Sequence, residues 1–330
     1  MSQTTKDWLL FGLAAALFLF FIALHGHAHF SDIDRIPWPI LVPVAASLAF
    51  VHSWYMLGWR RASVLIACAT LLSLSAEWVG QSNGWLFGPY CYTSLFGPKI
   101  GGRIPYLIPF AWYMMFYPSY VIANLVAEGR AVSNPSSRVS WVVWMALLSA
   151  AVMTAWDITM DPIMSFEAIP GTTDAAAAGA TTSIPAWRWL VAVAEPTECA
   201  VATRLPPTTS THFGVPWQNY QGWMVTSFVV FLVYRFLERR IPVHRRDLHW
   251  KPLGLARLTA IMPVSAYMAM ALIDAVLGSP RIQDVHLISP FAMGITAAIA
   301  SITIFTATFA VHHDDAPNHG RPPEPDGPPG

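Results

Sequence analysis

Long apolar runs alternate with short polar breaks along this chain, and that rhythm predicts its elements. Hydrophobic stretches occupy residues 8–24, 39–57, 62–79, 104–127, 140–157, 219–237, 254–277 and 287–311. Each approaches the ~20 residues that a helix needs to cross roughly 30 Å of hydrocarbon. None shows the period-two alternation of a barrel strand, and in lipid every backbone polar group must find a partner within the protein. The pattern predicts an all-α integral membrane protein, a bundle of about eight transmembrane helices spanning residues 1–311. The Pro-rich segment 312–330 cannot bury a core and is expected to be a disordered cytoplasmic tail. Composition agrees, with 55% of the 330 residues hydrophobic and only 12% charged.

The formal net charge is zero, so total charge points to no nucleic acid partner, and the distribution of charge says more. With a cytoplasmic N-terminus, the inside connections carry Lys6, Arg60, Arg61, Arg130, Arg138 and the cluster Arg235, Arg239, Arg240, Arg245, Arg246, Lys251 and Arg257. The outside connections carry only Arg35, Lys99, Arg103, Arg188, Arg204 and Arg281. This imbalance follows the positive-inside rule over all the segments and predicts a multi-pass cell-membrane protein with both termini in the cytoplasm. Lys6 precedes an apolar run as in a signal peptide, yet no small-x-small cleavage site follows Leu24, which favours an uncleaved first helix.

Two long connections, 80–103 and 162–218, break the helical rhythm, and both are expected outside. The first is rich in glycine and aromatics (Gly80, Gly84, Trp85, Phe87, Gly88, Tyr90, Tyr92), which suits a tight interfacial hairpin or a plain turn-rich loop. The second holds a low-complexity run at 171–183 and then an apolar patch at 187–193 that is too short to span. Cys91 and Cys199 fall in these two loops, where a disulfide can form, whereas Cys68 lies within a helix. There is no CxxC, no Walker-type lysine loop and no dinucleotide-binding glycine fingerprint.

An ionisable group inside a bilayer costs about 2.5–3.5 kcal/mol on insertion scales, so intramembrane acids are candidate site residues. Four qualify. Glu77 closes the third segment, Asp157 and Asp161 close the fifth, and Asp274 closes the seventh. All three helices run outward in this topology, so their acidic ends share a depth with Asn219, Tyr220 and Trp223 at the start of the sixth. The plainer reading is that each acid sits singly at the wet interface. Asp157 and Asp161 are four apart, on one helical face with a rise of about 6 Å, and Pro162 is expected to end that helix just after them. Two nearby carboxylates in a poorly solvated place cannot both ionise cheaply, so one keeps a proton and can act as an acid. Trp156, Trp223, Tyr220, Tyr90 and Trp112 offer π faces to a carbocation, although each also suits an interfacial belt or simple packing. His25, His27 and His29 fall outside and His312 and His313 inside, so they cannot share one metal cluster, and no metal is expected.

The residues also carry a family resemblance. Glu77-Trp78-Val79-Gly80, Asn83-Gly84, Phe87-Gly88-Pro89-Tyr90, Tyr92, Ile104-Pro105 and Ile108-Pro109-Phe110-Ala111-Trp112 resemble the membrane carotenoid-biosynthesis hydratases of the bisanhydrobacterioruberin and γ-carotene type. The likeness continues through Thr154-Ala155-Trp156-Asp157, Met160-Asp161-Pro162, Trp187-Arg188-Trp189, Phe213-Gly214-Val215-Pro216, Asn219-Tyr220 and Gly222-Trp223. It covers roughly residues 40–310, although the stretch from Trp189 to Phe213 is longer than the family pattern and the tail is an addition. The resemblance implies hydration of a terminal isoprene double bond, with no cofactor. The substrate is a long polyene dissolved in the bilayer, and water and other carotenoid-biosynthesis enzymes are implied as partners. Glu77, Asp157 and Asp161 become the catalytic candidates. Tyr90, Trp112, Trp156, Asn219, Tyr220, Trp223 and Asp274 become substrate-binding candidates.

Two other functions fit parts of the pattern. A membrane prenyltransferase uses paired Asp-x-x-x-Asp motifs to hold Mg²⁺ and diphosphate, but the second motif is missing and the acids are expected outside. A non-catalytic carotenoid or lipid carrier would line a polar entrance with the same acids and leave product masses unchanged. Hydration predicts that chelating Mg²⁺ leaves pigment conversion by membranes containing the chain unchanged, whereas a prenyltransferase would stop.

Overall fold

A computed structural model of the chain describes residues 3–29, 38–133, 138–165, 185–206, 211–242, 255–277 and 290–314. Helices form where the hydrophobic runs predict them: α1 (Gln3–His29), α2 (Trp38–Leu57), α3 (Trp59–Asn83), α4 (Ile108–Glu128), α5 (Val139–Ser165), α6 (Trp217–Glu238), α7 (Leu255–Leu277) and α8 (Ile295–Asp314). The core is built around α4, which packs against α2, α3, α5, α7 and α8. Its residues 115–125 are buried without a break, as a helix apolar on every side must be. The peripheral helices instead turn large apolar side chains outward, including Leu71 on α3, Val225, Val229 and Val233 on α6, and Ile295, Ile299 and Ile302 on α8. Such faces suit lipid. Pro39–Leu57, Trp59–Asn83 and Val139–Ser165 are long and apolar enough to cross a membrane by length and composition; the apolar cores Trp8–Leu24, Ala260–Leu272 and Phe291–Thr306 are shorter.

Two expectations about helix ends are corrected. Glu77 lies within α3, which continues to Asn83 and closes on Gly84 in the left-handed conformation. Pro162 does not end α5, which runs on to Ser165. A proline inside a helix strips the N–H partner from the carbonyl four residues earlier. That carbonyl belongs to Ile158, and the ring of His212 lies against it.

The long connections form a small β-rich cap over one end of the bundle. Strand β1 (Tyr90–Tyr92) pairs antiparallel with β4 (Trp187–Trp189), setting Tyr90 opposite Trp189 and Tyr92 opposite Trp187. The first connection is therefore not a self-contained hairpin. Its local hairpin is only β2 (Lys99–Ile100) with β3 (Ile104–Pro105), and the apolar patch after the low-complexity run supplies the strand that β1 needs. A third hairpin joins β5 (Thr211–His212) to β6 (Val215–Pro216) and leads directly into α6. A Cys91–Cys199 disulfide, with Cα atoms 5.8 Å apart, and a 3.0 Å Arg103–Glu195 ion pair tie the two connections together.

The opposite end of the bundle holds a charged cluster that charge counting assigns to loops. Arg61 and Arg235 are buried instead. Arg235 donates to Asn124 Oδ1 at 2.9 Å and Ser149 Oγ at 3.0 Å, lies 3.5 Å from Glu238 Oε1, and stacks 4.8 Å from the Tyr120 ring centroid. Tyr120 donates to Glu238 Oε2 at 2.9 Å, and Arg61 caps the carbonyls at the end of α6, including Ile241 at 2.9 Å. The side chains of His25, His29, Asp274, His312 and His313 lie outside the described residues, as do residues 166–184 and 315–330. Removing one member of a buried ion cluster strands the others. Glu238→Ala is expected to cost about 3–5 kcal/mol, read as a lower thermal midpoint of the detergent-solubilised protein.

Candidate active site

The capped end gathers the acids. Glu77, on the last turns of α3, is 4% exposed and accepts hydrogen bonds from Tyr90, from Tyr92 at 2.9 Å and from the Trp112 indole at 2.9 Å. Two of these donors sit on β1 and the third opens α4. Burial, and next the Glu77 carboxylate, hold both phenols well above the ordinary tyrosine range, so they remain protonated donors.

Asp157 and Asp161 are 1% and 2% exposed, one turn apart on α5. The Asn219 amide, near the start of α6, donates to Asp157 Oδ2 at 3.0 Å and to Asp161 Oδ2 at 2.7 Å. A single NH₂ group thus bridges both acids. Trp187 donates to the other Asp161 oxygen at 2.9 Å, and the Trp189 indole faces the same carboxylate without completing a hydrogen bond.

Stacked aromatics connect the two acidic centres. Trp112, bonded to Glu77, lies face to face with Trp223 at 3.8 Å between centroids and 15° between planes. Trp223 in turn meets Trp156, the neighbour of Asp157, at 5.9 Å. Trp156 and Trp223 are only partly buried, so this wall is reachable, and Tyr220 sits beside Asp161 and Asp157. An open apolar groove lined by Trp217, Tyr220, Gln221, Met224 and Val225 runs from there along the outward face of α6.

Close glycine contacts set this geometry. A Cβ on Gly222 would lie 2.5 Å from the Leu86 carbonyl oxygen, and one on Gly80 would lie 2.6 Å from the Phe87 ring. The turn before β1 therefore wedges between α3 and α6 and sets the height at which Tyr90 and Tyr92 reach Glu77.

Of the residues singled out from the sequence, Glu77, Asp157, Asp161, Tyr90, Trp112, Trp156, Asn219, Tyr220 and Trp223 come together. Three of the expected substrate-binding residues also hold the acids: Tyr90 and Trp112 donate to Glu77, and Asn219 donates to Asp157 and Asp161. The backbone of Asp274 lies in α7, with its side chain outside the described residues. Sequence reasoning gave Tyr92, Trp187 and Trp189 no role in the site, although each falls in a quoted motif, and it passed over His212 altogether.

A sequence model described as "Carotenoid biosynthesis protein" matches residues 38–169 and 182–281. The chain belongs to this carotenoid biosynthesis family. The matched residues include every member of the site described above. Bisanhydrobacterioruberin hydratase of Haloarcula japonica is 26% identical over 199 residues, which cover 60% of this chain and 53% of that protein. The match thus spans about half the length of the curated relative. No solved structure matches the chain.

Because backbone rather than a flexible side chain fills the space beside Gly222, Gly222→Ala is expected to push the 84–88 turn off α6. The cost is about 1–3 kcal/mol, seen as a lower thermal midpoint together with weakened protection of the Tyr90–Tyr92 amides in hydrogen exchange.

Proposed function

We propose that this chain is a hydratase that adds water across a terminal isoprene C=C of an acyclic or monocyclic carotenoid dissolved in the membrane. The observation that carries the reading is the bridged pair Asp157 and Asp161 beside the Trp112–Trp223 stack, with Glu77 bonded to the indole edge of that stack. Family membership and the name of the Haloarcula relative support the same chemistry.

Hydration of a trisubstituted alkene begins with a proton delivered to the less substituted carbon, which leaves a tertiary cation for water to capture. Asp157 or Asp161 gives the proton, since two buried carboxylates one turn apart are best accommodated with a proton between them. The indole faces of Trp223 and Trp156 shield the cation, a contact worth ~2 kcal/mol or more when desolvated. Glu77 balances the developing charge. Its three donors engage both oxygens and make it a fixed counter-charge better than a mobile base. Asn219 favours acid–base over metal–diphosphate use of the aspartates, because it sets a hydrogen-bond donor in the bridging position that a chelated cation would take.

In this reading the eight helices all cross the bilayer, the termini are cytoplasmic and the capped end faces outward. The groove beside Tyr220 lets the polyene remain in lipid while only its end group reaches the acids.

Expression in cells that accumulate lycopene or γ-carotene, grown with oxygen-labelled water, tests the proposal. Pigments that gain one labelled hydroxyl are expected, and a protein that inserts normally yet labels no carotenoid would sink the reading. Asp157→Asn is expected to lower hydration by at least about a hundredfold, the scale of lost general-acid catalysis, with insertion unchanged. Full activity in that variant would remove Asp157 from the mechanism.

A further inference from the structure

The hydration chemistry leaves one reactant without a holder. Water must reach the cation at a fixed place and lose a proton there, yet Glu77 is held by three donors and the aspartates by Asn219 and Trp187. Beside the acid pair, among the described residues, the Tyr220 hydroxyl and Nε2 of His212 are buried with no hydrogen-bond partner, as are the Trp156 and Trp189 indole nitrogens, which can only donate. Their rings meet edge to face, 5.6 Å apart and at 77°. Tyr220 is 6% exposed and lies within electrostatic reach of both Asp161 and Asp157. Buried polar atoms without partners, carried on two rings in contact, point to a place where a water belongs.

The fold holds His212 there by independent means. Phe213 and Gly214, at φ 51° and 87°, form the tight turn that ends β5. The imidazole packs against Phe213, Trp217 and Tyr220, with centroids 4.7, 5.5 and 5.6 Å away. It also lies against the Ile158 carbonyl, the one freed by Pro162. A proline within α5 and a histidine before α6 thus complete one another. Burial lowers the basicity of His212, against the smaller opposing pull of that carbonyl, so the ring is neutral at neutral pH and free to take a proton.

We propose that Tyr220 and His212 bind the water that captures the cation, with His212 accepting the proton this water loses. The proposal rests on the hydratase reading above and adds a catalytic pair to it. The proton balance closes. An aspartic acid protonates the alkene carbon, and the water oxygen forms the C–O bond. The resulting oxonium passes a proton to His212, and the next water bound there returns a proton to the ionised aspartate. The net change is alkene plus water to tertiary alcohol.

A water-holding role separates capture of the cation from its formation. A cation that is not captured loses a proton back to the aspartate, so in heavy water the recovered alkene gains deuterium. The test uses the full chain in liposomes loaded with lycopene in heavy water, comparing the parent with Tyr220→Phe and His212→Gln. The first variant removes only a hydroxyl that has no partner, so it is expected to accumulate normally. The second keeps an N–H that can reach the Ile158 carbonyl but cannot take a proton. Each is expected to lower hydration at least tenfold while deuterium in the recovered lycopene, per hydration event, rises at least tenfold. Unchanged hydration in either variant overturns the proposal, and so does a parallel fall of hydration and deuterium uptake, which would mark a structural role only. Failure of the parent chain itself to hydrate lycopene and γ-carotene would instead strike the hydratase reading.

Discussion

Everything at the capped end follows from the need to keep carboxylates where water is scarce. An acid buried in a helical bundle is tolerable only when fixed donors replace the lost water. Here the donors come from different parts of the chain: Tyr90 and Tyr92 from one connection, Trp187 from the other, Trp112 and Asn219 from the helices that follow them. The β1–β4 pairing and the Cys91–Cys199 disulfide are thereby tied to chemistry, since Cys91 lies between the two tyrosines that grip Glu77. The charged cluster at the other end obeys the same constraint with the signs exchanged, as Glu238 pairs with Arg235 while Asn124 and Ser149 accept from its guanidinium.

The arrangement also divides labour among side chains that look alike on paper. Glu77 has its oxygens occupied by phenols and an indole, which suits a fixed negative charge. Asp157 and Asp161 share one amide, which suits proton exchange. Trp112 belongs to both centres through its N–H and its stacked face. In the proposed mechanism the cation forms against that stack, between the acid that makes it and the charge that balances it.

Much of this was legible in the sequence. Apolar runs long enough to span, three of them carrying acids near one end, pointed to helices with their carboxylates at a common level, and i, i+4 spacing put Asp157 and Asp161 on one face. The rest depended on non-local pairing. Trp187 and Tyr92 become partners only when β1 meets a strand from the other connection, and no local pattern encodes that register. Arg61 and Arg235 were misread as loop charges because they lie at the ends of apolar runs, where burial depends on neighbouring helices. Pro162 was misread as a stop signal because its cost depends on whether something else satisfies Ile158. His212 drew no attention because its place is set by that same vacancy.

The central claim is spatial: a polyene end group must sit between the aspartate pair and the Trp112–Trp223 stack. Cryo-electron microscopy of the protein in lipid nanodiscs with lycopene bound tests it most directly. The account predicts the terminal double bond against Trp223 and in contact with Asp157 or Asp161, with the polyene leaving along the groove beside Tyr220 and Val225. An end group lodged elsewhere, such as at the Arg235–Glu238 end of the bundle, would contradict it.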